Sequence, residues 1–280
     1  MAEFLYEGHR LRYTVFGDGE RTTVLLPGLL LSQKMQAPLA RQLARRGNRV
    51  VTLDPLGHGD SDRPLEMWHY SMSAFARQTV ALLDHLDLER AIVGGTSLGA
   101  NITLEVASAA PDRLQGMVVE MPVLDSAIPA AGVAFTPLLM ALKFGAPLLA
   151  GLARGARAVP RQLVPFLGEI ALDWLSQDPG PSASVLSGIL YGRVAPDHQE
   201  RITFEAPTLV IGHPRDPLHP FSDAGMLASE LPNGQLMHAS SIVELRTRPE
   251  RLTSEIADFI DECWAAPAAA RGPRPRKRAA

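Results

Sequence analysis

The 280-residue sequence contains a single cysteine, Cys263, and only 6% aromatic residues. One cysteine cannot form an internal disulfide, which excludes a disulfide-stabilised extracellular framework. The first residues also lack the basic segment followed by an apolar segment that a secretory signal requires. Together these absences predict a cytoplasmic protein.

An excess of charge of one sign is also missing. The chain has 27 lysines and arginines against 30 aspartates and glutamates, so its formal net charge is -3. Without a basic excess the surface does not attract nucleic acid, and we expect no such partner. The eight histidines lack metal-site spacing, and neither a dinucleotide fingerprint nor a phosphate-binding loop occurs. We therefore expect no metal and no organic cofactor.

The sequence has no uninterrupted apolar run of the roughly 20 residues that a membrane-spanning helix needs. The closest candidate lies between Asp125 and Arg154, where Lys143 is the only charged residue. It is interrupted by three prolines, Pro129, Pro137 and Pro147. We expect no transmembrane segment here, but either buried helices or an apolar lid over a lipophilic pocket.

Short apolar runs alternate with longer segments of helical periodicity along most of the chain. This alternation is typical of an α/β sheet with helices on both faces. The predicted strands are 10–16, 22–26, 49–53, 91–94, 116–119, 208–211 and 235–239. The predicted helices are 34–46, 73–86, 98–109, 222–230 and 251–264.

The alternation breaks once, between 124 and 205, where helical periodicity continues without a strand pattern. We predict a core domain made of 1–123 and 206–264, with a helical cap inserted at 124–205. The remaining segment, 265–280, is rich in proline, alanine and basic residues and has nothing to bury, so we predict a disordered basic tail.

A nucleophile motif stands at the junction between the strand 91–94 and the helix 98–109. It reads Gly95-Thr96-Ser97-Leu98-Gly99, which is G-x-S-x-G. A sharp turn between strand and helix exposes the serine oxygen, and the two glycines let strand and helix approach closely. The helix N-terminus also favours negative charge that develops nearby. The motif and its position predict Ser97 as a catalytic nucleophile.

With this motif the chain resembles the α/β-hydrolase family over roughly 11–259. The segment 54–61 is also similar to the family loop D-x-x-G-x-G-x-S. We expect that loop to pack beside the site, with no chemistry for His58 or Asp60. The resemblance implies an α/β fold with a mostly parallel, eight-stranded α/β-hydrolase sheet flanked by helices.

The resemblance also implies an oxyanion hole built from two backbone N–H groups. The first would belong to Leu98, directly after the nucleophile, and the second to Leu29, in the loop after an earlier strand. Leu30 is an alternative second donor. Proline stands at position 27, where the family commonly has histidine. A backbone donor is not removed by that replacement.

Asp216, in the loop 212–220, matches the family's triad acid. Such an acid orients an imidazole and stabilises its protonated form. We expect His213, in the same loop, to pack or hydrogen-bond locally. Glu120 and Asp125 are alternative acid or base candidates, or else caps at the start of the predicted helical insertion.

The histidine departs from the family pattern. Alignment on Arg-Pro-Glu at 248–250 places Ile242 where the family has histidine, and isoleucine cannot accept a proton. His219, three residues after Asp216, is the first candidate for the base. His238, in the last predicted strand, is the second. A site without a Ser–His pair is the third alternative.

These features predict a serine hydrolase that cleaves an ester, thioester or lactone of a lipophilic small molecule, with the oligomeric state left open. The predicted cap is rich in large apolar side chains that line a pocket or form the cap's own core: Phe135, Met140, Phe144, Phe166 and Trp174. Ile242 keeps two alternatives open, a lyase or cyclase and a ligand-binding protein without turnover.

Overall fold

The computed structural model describes residues 1–214, 216 and 218–265. Except for Ala265, the predicted basic tail lies outside the described residues. The strands are β1 (Ala2–Tyr6), β2 (His9–Phe16), β3 (Thr22–Leu26), β4 (Arg49–Asp54), β5 (Ala91–Thr96), β6 (Leu114–Glu120), β7 (Thr208–Gly212) and β8 (Gly234–His238).

Eleven α-helices accompany these strands in the described residues. They are α1 (Ala37–Arg45), α2 (Met72–His85), α3 (Leu98–Ala109), α4 (Ile128–Phe144), α5 (Ala146–Ala158), α6 (Phe166–Leu175), α7 (Pro179–Leu190), α8 (His198–Arg201), α9 (Phe221–Glu230), α10 (Glu244–Thr247) and α11 (Glu250–Ala265). The predicted helix 34–46 is divided into a 3-10 turn, Gln33–Gln36, followed by α1. The helix 98–109 begins and ends as predicted.

All eight strands form one sheet in the order β1-β2-β4-β3-β5-β6-β7-β8. The pairs β1–β2 and β2–β4 are antiparallel, and the remaining neighbours are parallel. The predicted eight-stranded, mostly parallel sheet with flanking helices is therefore confirmed. The sequence analysis missed β1, which buries only Phe4 and joins β2 through a left-handed turn at Glu7 and Gly8.

The sheet buries both faces because its central strands are apolar throughout. Successive residues of β3 point to opposite faces: Val24 and Leu26 join one cluster, and Leu25 joins the other. Helices α2 and α3 cover the first face, and α1 and α11 cover the second. Burial on both faces explains why these strands are continuous apolar runs rather than alternating ones.

Between β6 and β7 the chain forms the helices α4 to α8 and no strand, over residues that the structure describes completely. Within the described residues, no single helix has both the length and the apolar composition to cross a bilayer. Helices α4 and α5 together meet those two criteria, but their axes are bent by 96° at the break.

Candidate active site

Ser97 occupies a strained turn between β5 and α3. Its φ of 54° and ψ of -108° lie outside the regions that residues with a side chain normally adopt. The turn is this tight only because its neighbours lack Cβ atoms: a Cβ at Gly95 would lie 2.6 Å from Gly99, and one at Gly99 would lie 2.5 Å from the carbonyl oxygen of Leu26. This turn exposes the serine oxygen at the carboxyl edge of the sheet.

The side chains of Ser97, His219 and Asp216 form a continuous hydrogen-bonded chain. Ser97 Oγ lies 2.9 Å from His219 Nε2, and His219 Nδ1 lies 2.9 Å from Asp216 Oδ2. Because an ionised carboxylate only accepts, Nδ1 carries the proton and donates to Asp216. That leaves the lone pair of Nε2 to accept from the serine hydroxyl, which is the arrangement a general base requires.

Sheet topology explains why residues 122 positions apart in sequence meet here. Ser97 follows β5, while Asp216 and His219 follow β7, and β6 lies between these two parallel strands. The carboxyl ends of parallel strands lie on one edge, so both loops open on the same side of the sheet. The Ser97 N–H also donates to the carbonyl oxygen of Glu120, the last residue of β6, at 2.8 Å.

Asp216 shapes the loop that brings His219 to the serine. Its Oδ1 accepts the backbone N–H groups of Leu218 at 2.9 Å and of His219 at 3.0 Å, so the chain folds back over the carboxylate. Burial opposes ionisation of this carboxyl, but the hydrogen bonds from His219 and Leu218 outweigh it and lower the pKa of Asp216. Asp216 is therefore ionised at neutral pH.

The two predicted oxyanion donors lie in the expected elements. Leu98 is the first residue of α3, so its N–H has no acceptor within the helix. Leu29 lies in the loop after β3, and no backbone hydrogen bond of the described residues uses its N–H. The alternative donor, Leu30, has a φ of 57° and buries its side chain in the main core.

The second histidine candidate is not brought to the serine. His238 is exposed at the end of β8, and its ring contacts that of Phe221 in a tilted arrangement, with centroids 4.6 Å apart. No hydrogen bond among the described residues connects its side chain to Ser97 or Asp216. Ile242 is 47% exposed in the loop after β8. The structure thus places His219, and not His238, at the nucleophile.

His58 and Asp60, for which we expect no chemistry, lie in the loop after β4. His58 is fully buried, and its Nδ1 donates to the carbonyl oxygen of Leu56 at 2.9 Å. Burial lowers the pKa of His58 to about 4, so the ring is neutral. Asp60 is exposed, and its backbone N–H donates to Asp54.

A buried charged network lies directly beneath the nucleophile turn. The carboxylate of Glu120 accepts from both terminal nitrogens of Arg246, at 2.9 and 2.8 Å. His213 Nε2 lies 3.2 Å from the same carboxylate, and Thr96, which precedes Ser97, hydrogen-bonds to it. Burial opposes ionisation of Glu120, but Arg246 and His213 more than compensate and hold its pKa well below the usual range. Glu120 is therefore a fixed anion that supports the turn.

The remaining candidates have structural contacts. Asp125 is largely exposed and pairs with the buried Arg201 at 3.2 Å. His213 donates from Nδ1 to the carbonyl oxygen of Ser241, 28 positions away in the loop after β8, at 2.8 Å. Among the described residues, no group of three or more His, Cys, Asp or Glu side chains is arranged to hold a metal ion.

Sequence reasoning missed Arg246 and Gln36, the two residues that hold Thr96. Arg246 donates to Thr96 Oγ1 at 2.6 Å, and Gln36 Nε2 donates to the same oxygen at 3.0 Å. Neither residue has a local sequence signal, because each belongs to an element distant in sequence from Ser97. The signal that points to a role for Arg246 is its burial. Burial is a tertiary property, so the sequence alone does not show it.

A polar cavity of about 420 Å³ lies between the loop after β3, the loop after β4 and α6. It is lined mainly by charged and hydroxyl side chains, among them Ser32, Lys34, Arg63, Arg161 and Asp173. None of Ser97, His219 and Asp216 lines it. Leu29, by contrast, packs against a buried apolar cluster formed by Leu139, Leu142, Ala183 and Leu186 of α4 and α7.

The sequence of this chain is similar to those of known proteins. The family model described as alpha/beta hydrolase fold matches residues 23–142. A protein of Caulobacter sp. (strain K31), provisionally named carbamate hydrolase RutD, is 30% identical over 260 residues, which cover 86% of this chain and 90% of that protein. The match thus includes the elements that carry both Ser97 and His219.

Two further relatives differ in how much they cover. A protein of Mycobacterium phage D29, provisionally named non-heme haloperoxidase, is 35% identical over 115 residues. Those residues are 41% of this chain and 40% of the relative, so the match spans about two fifths of either protein. The structure of an enol-lactonase from Burkholderia xenovorans LB400 superposes with a TM-score of 0.76 at 21% identity, over 93% of this chain and 100% of that one.

Proposed function

Because this chain belongs to the α/β-hydrolase fold superfamily, we propose that it is a serine hydrolase that cleaves an ester, thioester or lactone with an apolar acyl part. The observation that carries the proposal is the hydrogen-bonded chain from Ser97 through His219 to Asp216, with distances of 2.9 Å at both steps. Nucleophile, base and orienting acid are the three parts that covalent acyl transfer requires.

In the proposed mechanism, His219 Nε2 takes the proton from Ser97 Oγ as that oxygen attacks the substrate carbonyl carbon. The oxyanion that forms is stabilised by the N–H groups of Leu98 and Leu29. Asp216 holds the ring with Nε2 towards the serine and stabilises the imidazolium. His219 then gives its proton to the departing alcohol or thiol, which leaves an acyl group on Ser97. Water, deprotonated by His219, releases that acyl group.

Two observations support the substrate class. Leu29 packs against the buried apolar cluster of α4 and α7, so the side chain of one of the proposed oxyanion donors has an apolar environment. The names carbamate hydrolase and enol-lactonase, which belong to the relatives and not to this chain, both denote hydrolysis of a bond to a carbonyl carbon. An apolar acyl part fits the first observation, and an ester-like bond fits the second.

The non-hydrolytic alternatives depended on the absence of a base at Ile242. In the proposed site His219 takes the role of that base from a different loop, and its contact with Ser97 favours hydrolysis over a lyase, a cyclase or a ligand-binding protein without turnover.

The test is intact-protein mass spectrometry after reaction with a fluorophosphonate, which reacts covalently with activated serines. We expect one label on the wild type and none on Ser97→Ala. Labelling of His219→Ala should slow by about 10³-fold or more, because the hydroxyl loses its base. His238→Ala is the matched control and should label at the wild-type rate. An unlabelled wild type, or wild-type labelling of His219→Ala, would overturn the proposal.

A further inference from the structure

Helices α4 and α5 carry a row of large apolar side chains that face away from the protein. On α4 the row consists of Val133, Met140 and Phe144, spaced at i, i+7 and i+11, which places them on one side of the helix. On α5 it continues with Leu148 and Leu152. Phe144 and Leu148, on either side of the bend, are 80% and 71% exposed. We call these five residues the apolar ridge.

The ridge is not the internal core of the helical segment, because the same helices bury their opposite sides. Leu139 and Leu142 of α4 pack with Ala183 and Leu186 of α7, and Ala153 of α5 is buried as well. The sequence analysis left open whether Met140 and Phe144 line a pocket or form the cap's core; with exposed fractions of 52% and 80%, they are not part of a buried core. Within the described residues nothing covers the ridge.

The chain segment that carries the ridge has charges of one sign only. Between Asp125 and Glu169 the chain has no acidic residue and four basic ones: Lys143, Arg154, Arg157 and Arg161. Arg157 pairs with Asp178 and Arg161 with Asp173. Lys143 and Arg154 are exposed and have no carboxylate partner among the described residues. They lie on the two helices that carry the ridge, with uncompensated positive charge.

An apolar ridge flanked by unpaired cations is complementary to the surface of an anionic lipid bilayer. Such helices lie in the plane of the membrane, with apolar side chains in the acyl boundary and basic side chains among the headgroups. A second copy of this chain is a poorer partner, because a two-fold contact through the ridge would bring like charges of Lys143 and Arg154 together. We propose that α4 and α5 dock this protein on anionic lipid membranes. The proposal does not depend on the proposed hydrolytic activity.

The test is co-sedimentation of the full chain with vesicles of equal parts phosphatidylglycerol and phosphatidylcholine, compared with vesicles of phosphatidylcholine alone. We expect binding to the anionic vesicles that weakens at high salt. Phe144→Ser and Leu148→Ser should each weaken it roughly tenfold or more, since each removes a large apolar side chain from the lipid. Lys143→Ala and Arg154→Ala should each weaken it about fivefold.

The matched control is Leu5→Ser, on strand β1, because Leu5 is 72% exposed, like Leu148, but lies outside the ridge. It should bind as the wild type does. Far-ultraviolet circular dichroism and thermal unfolding establish that the exposed substitutions leave the fold intact. Equal binding of neutral and anionic vesicles would overturn the proposal. Equal binding of wild type and Phe144→Ser would also overturn it, and would assign the binding to the basic segment 266–280 instead. Concentration-dependent dimers without vesicle binding would identify the ridge as a self-association surface instead.

Discussion

His219 Nδ1 lies 2.9 Å from Asp216 Oδ2, and the two residues are three positions apart in one loop. The proposed base and the residue that orients it are therefore supplied by a single turn after β7. The segment after β8, where the family pattern places the histidine, carries Ile242 and contributes Arg246 instead. That arginine supports the nucleophile turn from below through Glu120 and Thr96.

Asp216→Asn should leave the protein folded but lower kcat by about 10³- to 10⁴-fold, because an amide no longer fixes the tautomer of His219 or stabilises its protonated form. Steady-state hydrolysis of a p-nitrophenyl ester measures this. Asp60→Asn, which changes an exposed carboxylate in the loop after β4, is the control and should retain activity. A kcat within tenfold of wild type for Asp216→Asn would exclude Asp216 from the triad.

Arg246→Met should destabilise the protein by about 3 kcal/mol, because it leaves the buried carboxylate of Glu120 without its bidentate partner. Urea unfolding measures the loss. Arg248→Met, two positions away and exposed, should change stability by less than about 0.5 kcal/mol. Equal stabilities for the two variants would contradict a supporting role for the Arg246–Glu120 pair.

His58 should make stability depend on pH between neutrality and pH 4. Burial lowers its pKa from 6.5 to about 4, so the folded protein keeps the ring neutral while the unfolded chain binds a proton below pH 6.5. The stability that this site contributes is complete above pH 6.5 and is lost as pH falls towards 4. The loss amounts to about 3 kcal/mol.

The measurement is urea unfolding of wild type and His58→Gln at several pH values. The variant cannot titrate at this position, so the difference in unfolding free energy between the two proteins should shrink as the pH falls from 7 to 4. A difference that stays constant over this range would mean that His58 is accessible to protons in the folded state.

Asp223→Ala should weaken the attachment of the segment 124–127, which precedes α4, to helix α9. This buried carboxylate accepts the backbone N–H groups of Leu124 at 3.0 Å, Ala127 at 3.1 Å and Ser126 at 3.3 Å. Removing it leaves the N–H groups of Leu124 and Ser126 without their acceptor, whereas that of Ala127 still donates to the carbonyl oxygen of Leu124; the loss should cost about 2 kcal/mol in urea unfolding. Ser222→Ala, its exposed neighbour, is the control and should be neutral. Hydrogen exchange at 124–127 should speed up only in the Asp223 variant.

Much of this protein could be read from local sequence patterns. The apolar runs at 22–26 and 208–211 identify buried parallel strands because such strands must be apolar on both faces. The G-x-S-x-G motif between β5 and α3 predicts the strained turn at Ser97, since only glycines permit that approach of strand and helix. These features are local, so a short stretch of sequence is enough to determine them.

Other features were decided only by the tertiary structure. Whether His219 or His238 reaches Ser97 depends on how the loops after β7 and β8 lie at the sheet edge, which no spacing along the chain specifies. The burial of Glu120 with Arg246 joins residues 126 positions apart. Both sides of helix α4 carry large apolar residues, yet Leu139 on one side is buried and Phe144 on the other is exposed. The sequence determines which residues are apolar or charged, but their surroundings arise only when distant segments pack, and those surroundings set exposure, pKa and chemical role.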